Sequence, residues 1–144
     1  MIFPSDAWLA ALAAALNRDP ALPRALAGLG ADVAAVVEAD PPALAAAFAA
    51  YGRHEGGRIA AVRILPDADE IWELEPAYVL RAPYRVWKAL LRGGDDPVRA
   101  ALSGRVRVEG DLQELVRRAH HRSILDGALA CVPTEFADER GGHG

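Results

Sequence analysis

Hydrophobic residues recur at helical spacing near the start of the chain. Trp8, Leu12 and Leu16 lie four residues apart, and Ser5 precedes them as a residue type that caps helices. This pattern predicts a helix over residues 5–17. Pro20 and Pro23 then break the helical pattern, so residues 25–28 form at most a short helical turn.

The next part of the chain predicts a meander of strands. Residues 32–39 and 58–65 have the apolar, β-branched character of strands, with turns at 40–42 and 54–57. Residues 43–51 are rich in Ala, with Leu44 and Phe48 four apart, which favours a helix locally. We predict a strand there because strands flank it. Residues 76–82 predict a fourth strand, with Tyr78 and Leu80 on one face and Val79 on the other.

Residues 83–119 carry the clearest boundaries between elements. Pro83 opens a helix that Gly93 and Gly94 end, and Asp96 caps a second helix over 97–103. Charged and apolar residues alternate over 105–109, which predicts a strand with Val106 and Val108 facing inward.

A third helix is predicted after this strand. Asp111 and Glu114 have the spacing of a capping box, and apolar residues follow at helical positions through residue 119. Residues 124–132 predict a further short apolar helix with Ser123 as its cap. That piece either lines a cavity or covers the core.

Length and composition limit the classes of protein that fit. The 144 residues suit one domain, which we place at residues 1–137, with a disordered tail over 138–144. A net charge of −4 argues against nucleic acid as a partner. Cys131 is the only cysteine, so an intrachain disulfide is excluded and a reducing, cytoplasmic location is predicted. We expect no signal peptide and no membrane span.

Candidate chemical groups are few. Asp67 and Asp69 begin like a calcium loop, but Ile71 and Trp72 occupy positions that need an oxygen ligand and a glycine, so we predict a solvated loop over 67–75 and no metal.

The histidines and the cysteine have plain explanations. His120 and His121 are adjacent in a predicted helix and point about 100° apart, so they cannot bind one ion together. We expect His54 to be solvated in a turn, His143 to lie in the tail and Cys131 to be a small buried hydrophobe. The sequence contains no catalytic triad, phosphate loop or dinucleotide motif, so it predicts a protein that is not an enzyme and needs no cofactor.

One stretch resembles a known family. Trp87, the Gly-Gly-Asp-Asp-Pro corner at 93–97 and the Gly-Arg-Val-Arg-Val-Glu-Gly-Asp run at 104–111, followed by Leu112 and Leu115, resemble the signature of the sterol carrier protein type-two domain. The resemblance spans roughly residues 3–120. It implies an α+β fold with an antiparallel-rich sheet of about five strands, including one at 43–51, and helices on one face enclosing an apolar tunnel.

The resemblance also implies a function. Domains of this type are expected to bind and transfer an apolar lipid without catalysis, such as a sterol-like, fatty-acyl or isoprenoid molecule, and transient contact with a membrane stays open. No protein partner is indicated. The apolar residues that the resemblance offers as tunnel lining are Trp87, Leu90, Leu91, Val98, Leu102, Val106, Val108, Leu112, Leu115 and Val116.

Two other function classes stay open. We interpret the Arg-rich, Ala-rich composition, with Lys88 as the only lysine, as that of a GC-rich bacterial genome. The chain could then be an accessory protein-interaction module of a bacterial lipid or quinone pathway, with no open cavity. An enzyme is disfavoured, because Asp95, Asp96 and Asp111 already have capping roles.

Overall fold

The computed structural model describes residues 2–27, 30–117 and 122–140. The helices of this part of the chain are α1 (Asp6–Asn17), α2 (Leu22–Leu26), α3 (Ile71–Leu74), α4 (Tyr84–Leu91), α5 (Pro97–Leu102), α6 (Leu112–Arg117), α7 (Arg122–Ala130) and α8 (Ala137–Arg140). Its strands are β1 (Ile2–Phe3), β2 (Asp32–Glu38), β3 (Phe48–Glu55), β4 (Arg58–Leu65), β5 (Tyr78–Pro83), β6 (Arg107–Glu109) and β7 (Glu135–Phe136).

The main sheet has five strands in the order β4-β3-β2-β5-β6. β2, β3 and β4 form the antiparallel meander expected from the sequence, and β6 pairs antiparallel with β5. β2 and β5 run parallel, with Val33 opposite Tyr78 and Val37 opposite Ala82. The predicted α+β class and five-stranded sheet are therefore confirmed.

Three predicted helix caps are present in the structure. The Ser5 hydroxyl accepts from the Trp8 amide at 3.1 Å, and the Asp96 carboxylate accepts from the Val98 amide at 3.0 Å. Asp111 accepts from the Glu114 amide at 3.1 Å. Each bond satisfies an amide that the first turn of a helix leaves unpaired, which is why these residues fix where α1, α5 and α6 begin.

One face of the sheet carries a continuous apolar row that crosses all five strands. The register aligns Ile64, Ala50, Ala35, Leu80 and Val108 across it. At the β3–β4 end, α1 and α7 cover this face in one core cluster, and at the β5–β6 end α4 and α5 cover it in another. The helices therefore pack on this face in two groups.

The opposite face is partly covered by the segment that the sequence assigned to a solvated loop. Residues 68–70 form a 3₁₀ turn capped by Asp67, and α3 follows directly. Ile71 of α3 is buried against Ala34, Val36 and Val79 of the sheet. The loop prediction was wrong because apolar burial of Ile71 outweighed the local density of carboxylates.

The two ends of the described chain meet in a small parallel sheet. Ile2 pairs with Glu135, and Phe3 with Phe136. The Phe3 ring packs edge-on against Trp8, with ring centroids 4.9 Å apart, and lies near Phe136 at 6.0 Å. Two-residue strands have no periodicity, so nothing in the sequence indicates this pairing.

Several boundaries differ from the sequence prediction. β3 begins at Phe48, so residues 43–47 are not strand, and it continues through Glu55, which leaves Gly56 and Gly57 as the turn with positive φ. α2 includes Pro23 in its first turn, where proline is tolerated.

Three side chains lie in surroundings other than those expected. His54 is on β3 and its Nε2 lies 2.7 Å from the Gly30 carbonyl oxygen, so it is not a solvated turn residue. Cys131, just after the end of α7, is exposed and is not the buried hydrophobe predicted. Ser123 is inside α7 and does not cap it.

The tail predicted to be disordered from residue 138 onward is helical at its start. Residues 137–140 form α8, and the Asp138 carboxylate accepts from Tyr84 Oη at 2.7 Å and from Lys88 Nζ at 2.8 Å. Long-range hydrogen bonds therefore order residues that have no local pattern. The rest of that tail, with His143, and the pair His120–His121 lie outside the described residues. Within the described residues, no helix is long and apolar enough to cross a membrane.

Candidate functional site: an apolar cavity between the sheet and four helices

A cavity of about 230 Å³ lies between the β5–β6 end of the sheet and the helices α4 to α7. We call it the α4–α7 cavity. With one exception its described lining is apolar. The lining residues are Leu80, Trp87, Leu90, Pro97, Val98, Ala101, Val106, Val108, Leu112, Leu115, Val116, Arg122 and Leu125.

The floor of the cavity comes from the sheet. Leu80 on β5 and Val108 on β6 are opposite one another in the antiparallel register. Val106 precedes β6 and is buried, and its amide donates to the Ala100 carbonyl of α5 at 3.0 Å. That hydrogen bond holds α5 beside the floor while Val106 supplies an apolar side chain to it.

Trp87 of α4 forms a second wall. Its indole N–H donates to the Val36 carbonyl oxygen of β2 at 3.0 Å, so the polar atom of the ring is satisfied by the sheet backbone. The rest of the ring packs in both core clusters of this face. A half-buried indole with a partner for its N–H is held in one orientation, which leaves an apolar ring surface toward the cavity.

The turn between β6 and α6 positions the third wall. Gly110 has φ of 127°, and a Cβ there would lie 2.6 Å from Tyr78 Cδ1. Only glycine fits this close approach with positive φ. Asp111 then caps α6, which carries Leu112, Leu115 and Val116 into the lining.

Eight of the ten tunnel residues expected from the sequence line this cavity: Trp87, Leu90, Val98, Val106, Val108, Leu112, Leu115 and Val116. The other two do not. Leu91 packs against the core cluster of α1 and α7, and Leu102 is 64% exposed. Leu91 and Leu102 each belong to the apolar stripe of a helix. In both helices that stripe is wider than the surface that faces the cavity. Ligand contact by the eight stays a prediction.

The sequence missed part of the lining. Leu80 was predicted only to share a strand face with Tyr78, and Ala101 is too small to stand out from the many alanines. Arg122 and Leu125 line the rim from α7. The same helix also packs Ala128 against the core, so the segment predicted either to line a cavity or to cover the core does both.

The carboxylates near the cavity have structural partners. Asp95 binds the Arg105 guanidinium, and that hydrogen bond lowers the pKa of Asp95. Asp96 and Asp111 cap helices, as described above. Each of these three carboxylates therefore has a structural partner, either an arginine or a backbone amide at a helix start.

A second cavity of about 220 Å³ lies on the same face, between the sheet and helices α1 and α2. Its lining includes Leu12, Leu16, Ala35 and Val62. Near it, the Tyr51 hydroxyl donates to Asp32 at 2.7 Å. Burial and this hydrogen bond raise the pKa of Tyr51.

The described residues contain no group of three or more His, Cys, Asp or Glu side chains that could hold a metal ion. Asp67, the first residue of the calcium-like pattern, accepts from the Asp69 amide at 2.9 Å and so serves as a turn cap.

Comparisons with known proteins show which solved structures share the fold of this chain. No family model matches the chain, and no curated protein matches it. The crystal structure of a sterol carrier protein 2 matches with a TM-score of 0.68 and 19% identity, over 87% of this chain and 95% of that one.

Two further solved structures match over most of their length. The solution structure of a conserved hypothetical protein from Thermus thermophilus, described as a possible sterol carrier protein, gives a TM-score of 0.70 and 20% identity over 89% of this chain and 88% of that one. Apo sterol carrier protein 2 from Yarrowia lipolytica gives a TM-score of 0.52 and 12% identity, over 83% of this chain and 88% of that one. The chain therefore has the sterol carrier protein 2 fold, and the resemblance predicted from the sequence is confirmed at the level of fold.

Proposed function

We propose that this chain binds an apolar lipid reversibly in the α4–α7 cavity and transfers it without chemistry. The observation that carries the proposal is the cavity itself, whose described lining is apolar apart from Arg122. The likeness of the fold to sterol carrier proteins supports it independently. Sterol-like, fatty-acyl and isoprenoid molecules are the ligand classes that this lining suits.

Hydrophobic transfer provides the affinity. Each buried CH₂ contributes roughly 0.8 kcal/mol against water, so a chain of about ten buried carbons gains on the order of 8 kcal/mol before ordering costs. The volume of about 230 Å³ is below the roughly 300–1,000 Å³ of typical ligand pockets. We therefore expect a long chain to widen the cavity or to leave its end at the rim.

Release follows from the same balance. A bilayer shelters an apolar chain from water as well as the cavity does, so the ligand gains little by staying bound when a membrane is near. Transfer needs no covalent step under this proposal. The groups near the cavity agree with a non-catalytic role, because Asp95, Asp96 and Asp111 are engaged in an ion pair or in caps.

The alternative is a protein-interaction module. Its supporting observation is the exposure of large apolar side chains, since Leu102 on α5 and Trp72 on α3 are each 64% exposed. These two residues lie on elements that cover opposite faces of the sheet. They therefore do not form one surface, and the cavity is the stronger candidate.

A pair of matched variants on α5 tests the proposal. Ala101 lines the cavity and its neighbour Leu102 faces solvent. We expect Ala101→Trp to fill the cavity and lower the affinity for a fluorescent fatty-acyl probe by at least about tenfold. Leu102→Trp adds the same side chain outside the cavity and should bind the probe like the wild type.

The readouts separate lipid carrier from interaction module. Binding is measured by titration of the probe, and lipids carried through purification are extracted with organic solvent and identified by mass spectrometry. Circular dichroism confirms that both variants are folded. No saturable binding by the wild type, together with no extracted lipid, would overturn the lipid-binding proposal and favour the module.

A further inference from the structure

Arg122 is the single charged residue among the described residues that line the α4–α7 cavity. It is the first residue of α7 and its side chain is 42% exposed, which places it at the rim. Leu125, one turn further along α7, lines the same rim and is 40% exposed. The cavity thus combines an apolar interior with a cation at the solvent boundary.

The present partners of Arg122 hold it loosely. Its Nη1 lies 3.6 Å from Asp96 Oδ1, and its Nε lies 3.4 Å from Asp126 Oδ2. Both separations exceed the roughly 2.7–3.2 Å of N–H···O hydrogen bonds. Asp96 Oδ1 already accepts the cap bond from Val98, and the Asp126 side chain is 60% exposed. Exposed ion pairs of this kind contribute little, and a guanidinium has five N–H donors.

Among the described residues that line the interior of the cavity, none offers a competing site for a polar group. The other polar side-chain atom of the described lining is the Trp87 indole nitrogen, and its hydrogen already goes to Val36. A carboxylate placed deeper would lie unpaired among Val106, Leu80 and Val108, which carries a large desolvation cost. Only one orientation of an amphipathic chain therefore satisfies both of its ends.

Resting on the proposed function, we propose that Arg122 binds the carboxylate of an aliphatic acid whose chain lies in the cavity, and so makes the site selective for anionic over neutral chains. A planar guanidinium matches a carboxylate in two parallel hydrogen bonds, and such charge-assisted bonds are short and strong. Asp126 competes with the ligand for the same guanidinium, because it carries the same functional group.

Paired ligands and paired variants test this role. Hexadecanoic acid and hexadecanol have the same chain and differ in the charged group, and each is titrated against a bound fluorescent probe in the full chain. We expect the wild type to bind the acid about tenfold more tightly than the alcohol. Arg122→Gln should lose that preference, because binding of the acid weakens much more than binding of the alcohol. Asp126→Asn should increase the preference for the acid, because it removes the competitor.

Arg117→Gln is the matched control. Arg117 is the last residue of α6, pairs with Glu114 at 3.1 Å and does not line the cavity. Arg117→Gln therefore changes the net charge by the same amount as Arg122→Gln but leaves the cavity lining intact. An equal loss of acid binding in both Arg variants, or a wild type that binds acid and alcohol alike, would overturn the role of Arg122. If neither ligand binds the wild type, the proposed lipid function itself fails, which is a different result.

Discussion

Asp138 Oδ2 lies 2.8 Å from Lys88 Nζ, and this ion pair between half-buried side chains connects α8 to α4. The same carboxylate accepts from Tyr84 Oη at 2.7 Å. Lys88 Nζ also lies 5.3 Å from the centroid of the Phe136 ring, a cation–π distance. Partial burial raises the pKa of Asp138, but hydrogen bonds from Lys88 and Tyr84 outweigh it and hold that pKa below its ordinary value.

Removal of this carboxylate is the first prediction. Asp138→Ala removes the acceptor of Tyr84 Oη and the nearer of the two carboxylates at Lys88 Nζ, and we expect it to lower the free energy of unfolding by about 1–3 kcal/mol in a urea titration. A chain ending at Ala137 should lose at least as much, whereas one ending at Arg140 should match the full chain. Glu73→Ala, at an exposed position on α3, is the control. Wild-type stability in the chain ending at Ala137 would show that α8 contributes nothing.

The second prediction concerns the stability of the folded chain at acidic pH. Because the pKa of Asp138 is lower in the folded chain than the roughly 3.9 of an unfolded Asp, the unfolded state binds more protons in this range. The stability that the ion pair contributes is present above about pH 4 and is lost as pH falls through the folded value. Asp138→Asn should therefore show a shallower loss of stability between about pH 5 and pH 2 than the wild type. Parallel curves would contradict this assignment.

Gly110 gives a third prediction. Its φ of 127° and the 2.6 Å approach of a Cβ to Tyr78 mean that Gly110→Val adds both strain and a clash, with an expected cost of at least about 2 kcal/mol. Asp111→Ala removes only a cap and should cost about 1 kcal/mol. Chemical denaturation of the two variants measures both losses. Equal losses would mean that the positive φ of Gly110 is not required.

The fourth prediction concerns the edge of the sheet. Asn17 at the end of α1 pairs with the backbone of Ile59 on β4, donating to its carbonyl at 3.1 Å and accepting from its amide at 2.8 Å. The Asn17 side chain thus makes the two backbone hydrogen bonds that a further strand would make at the edge strand β4. We expect Asn17→Ala to lower the free energy of unfolding by about 1–3 kcal/mol and to promote association through the exposed edge.

Asn17→Asp serves as its control, because it keeps the acceptor for the Ile59 amide and loses only the donor. Its loss of stability should be smaller. Size-exclusion chromatography over a range of concentrations detects the association. An Asn17→Ala protein with wild-type stability and elution volume would show that the Asn17 pairing does not protect this edge.

The sequence by itself determined the features that depend on local hydrogen bonds and local backbone geometry. Ser5, Asp96 and Asp111 mark helix starts because a cap acts within three residues. The strand pattern of β4 likewise indicated its bounds from Arg58 to Leu65, because turn residues flank it. The local elements alone indicated an α+β domain, and the resemblance to the sterol carrier protein type-two signature indicated the fold.

Only the tertiary structure decided which apolar residues line the cavity. Leu91 and Leu102 have the same apolar character and helical setting as Leu90 and Val98, but one is packed in the core and the other is exposed. A core stripe and a cavity wall consist of the same residue types, so the distinction depends on what packs opposite them.

Contacts between distant residues were equally beyond the sequence. Ile2 pairs with Glu135, Asp138 with Lys88, and Arg122 reaches the rim beside Asp96. Each of these depends on where the chain returns in space, and no periodicity within a single segment records that. Local physics therefore specified the elements, and packing between them specified the site.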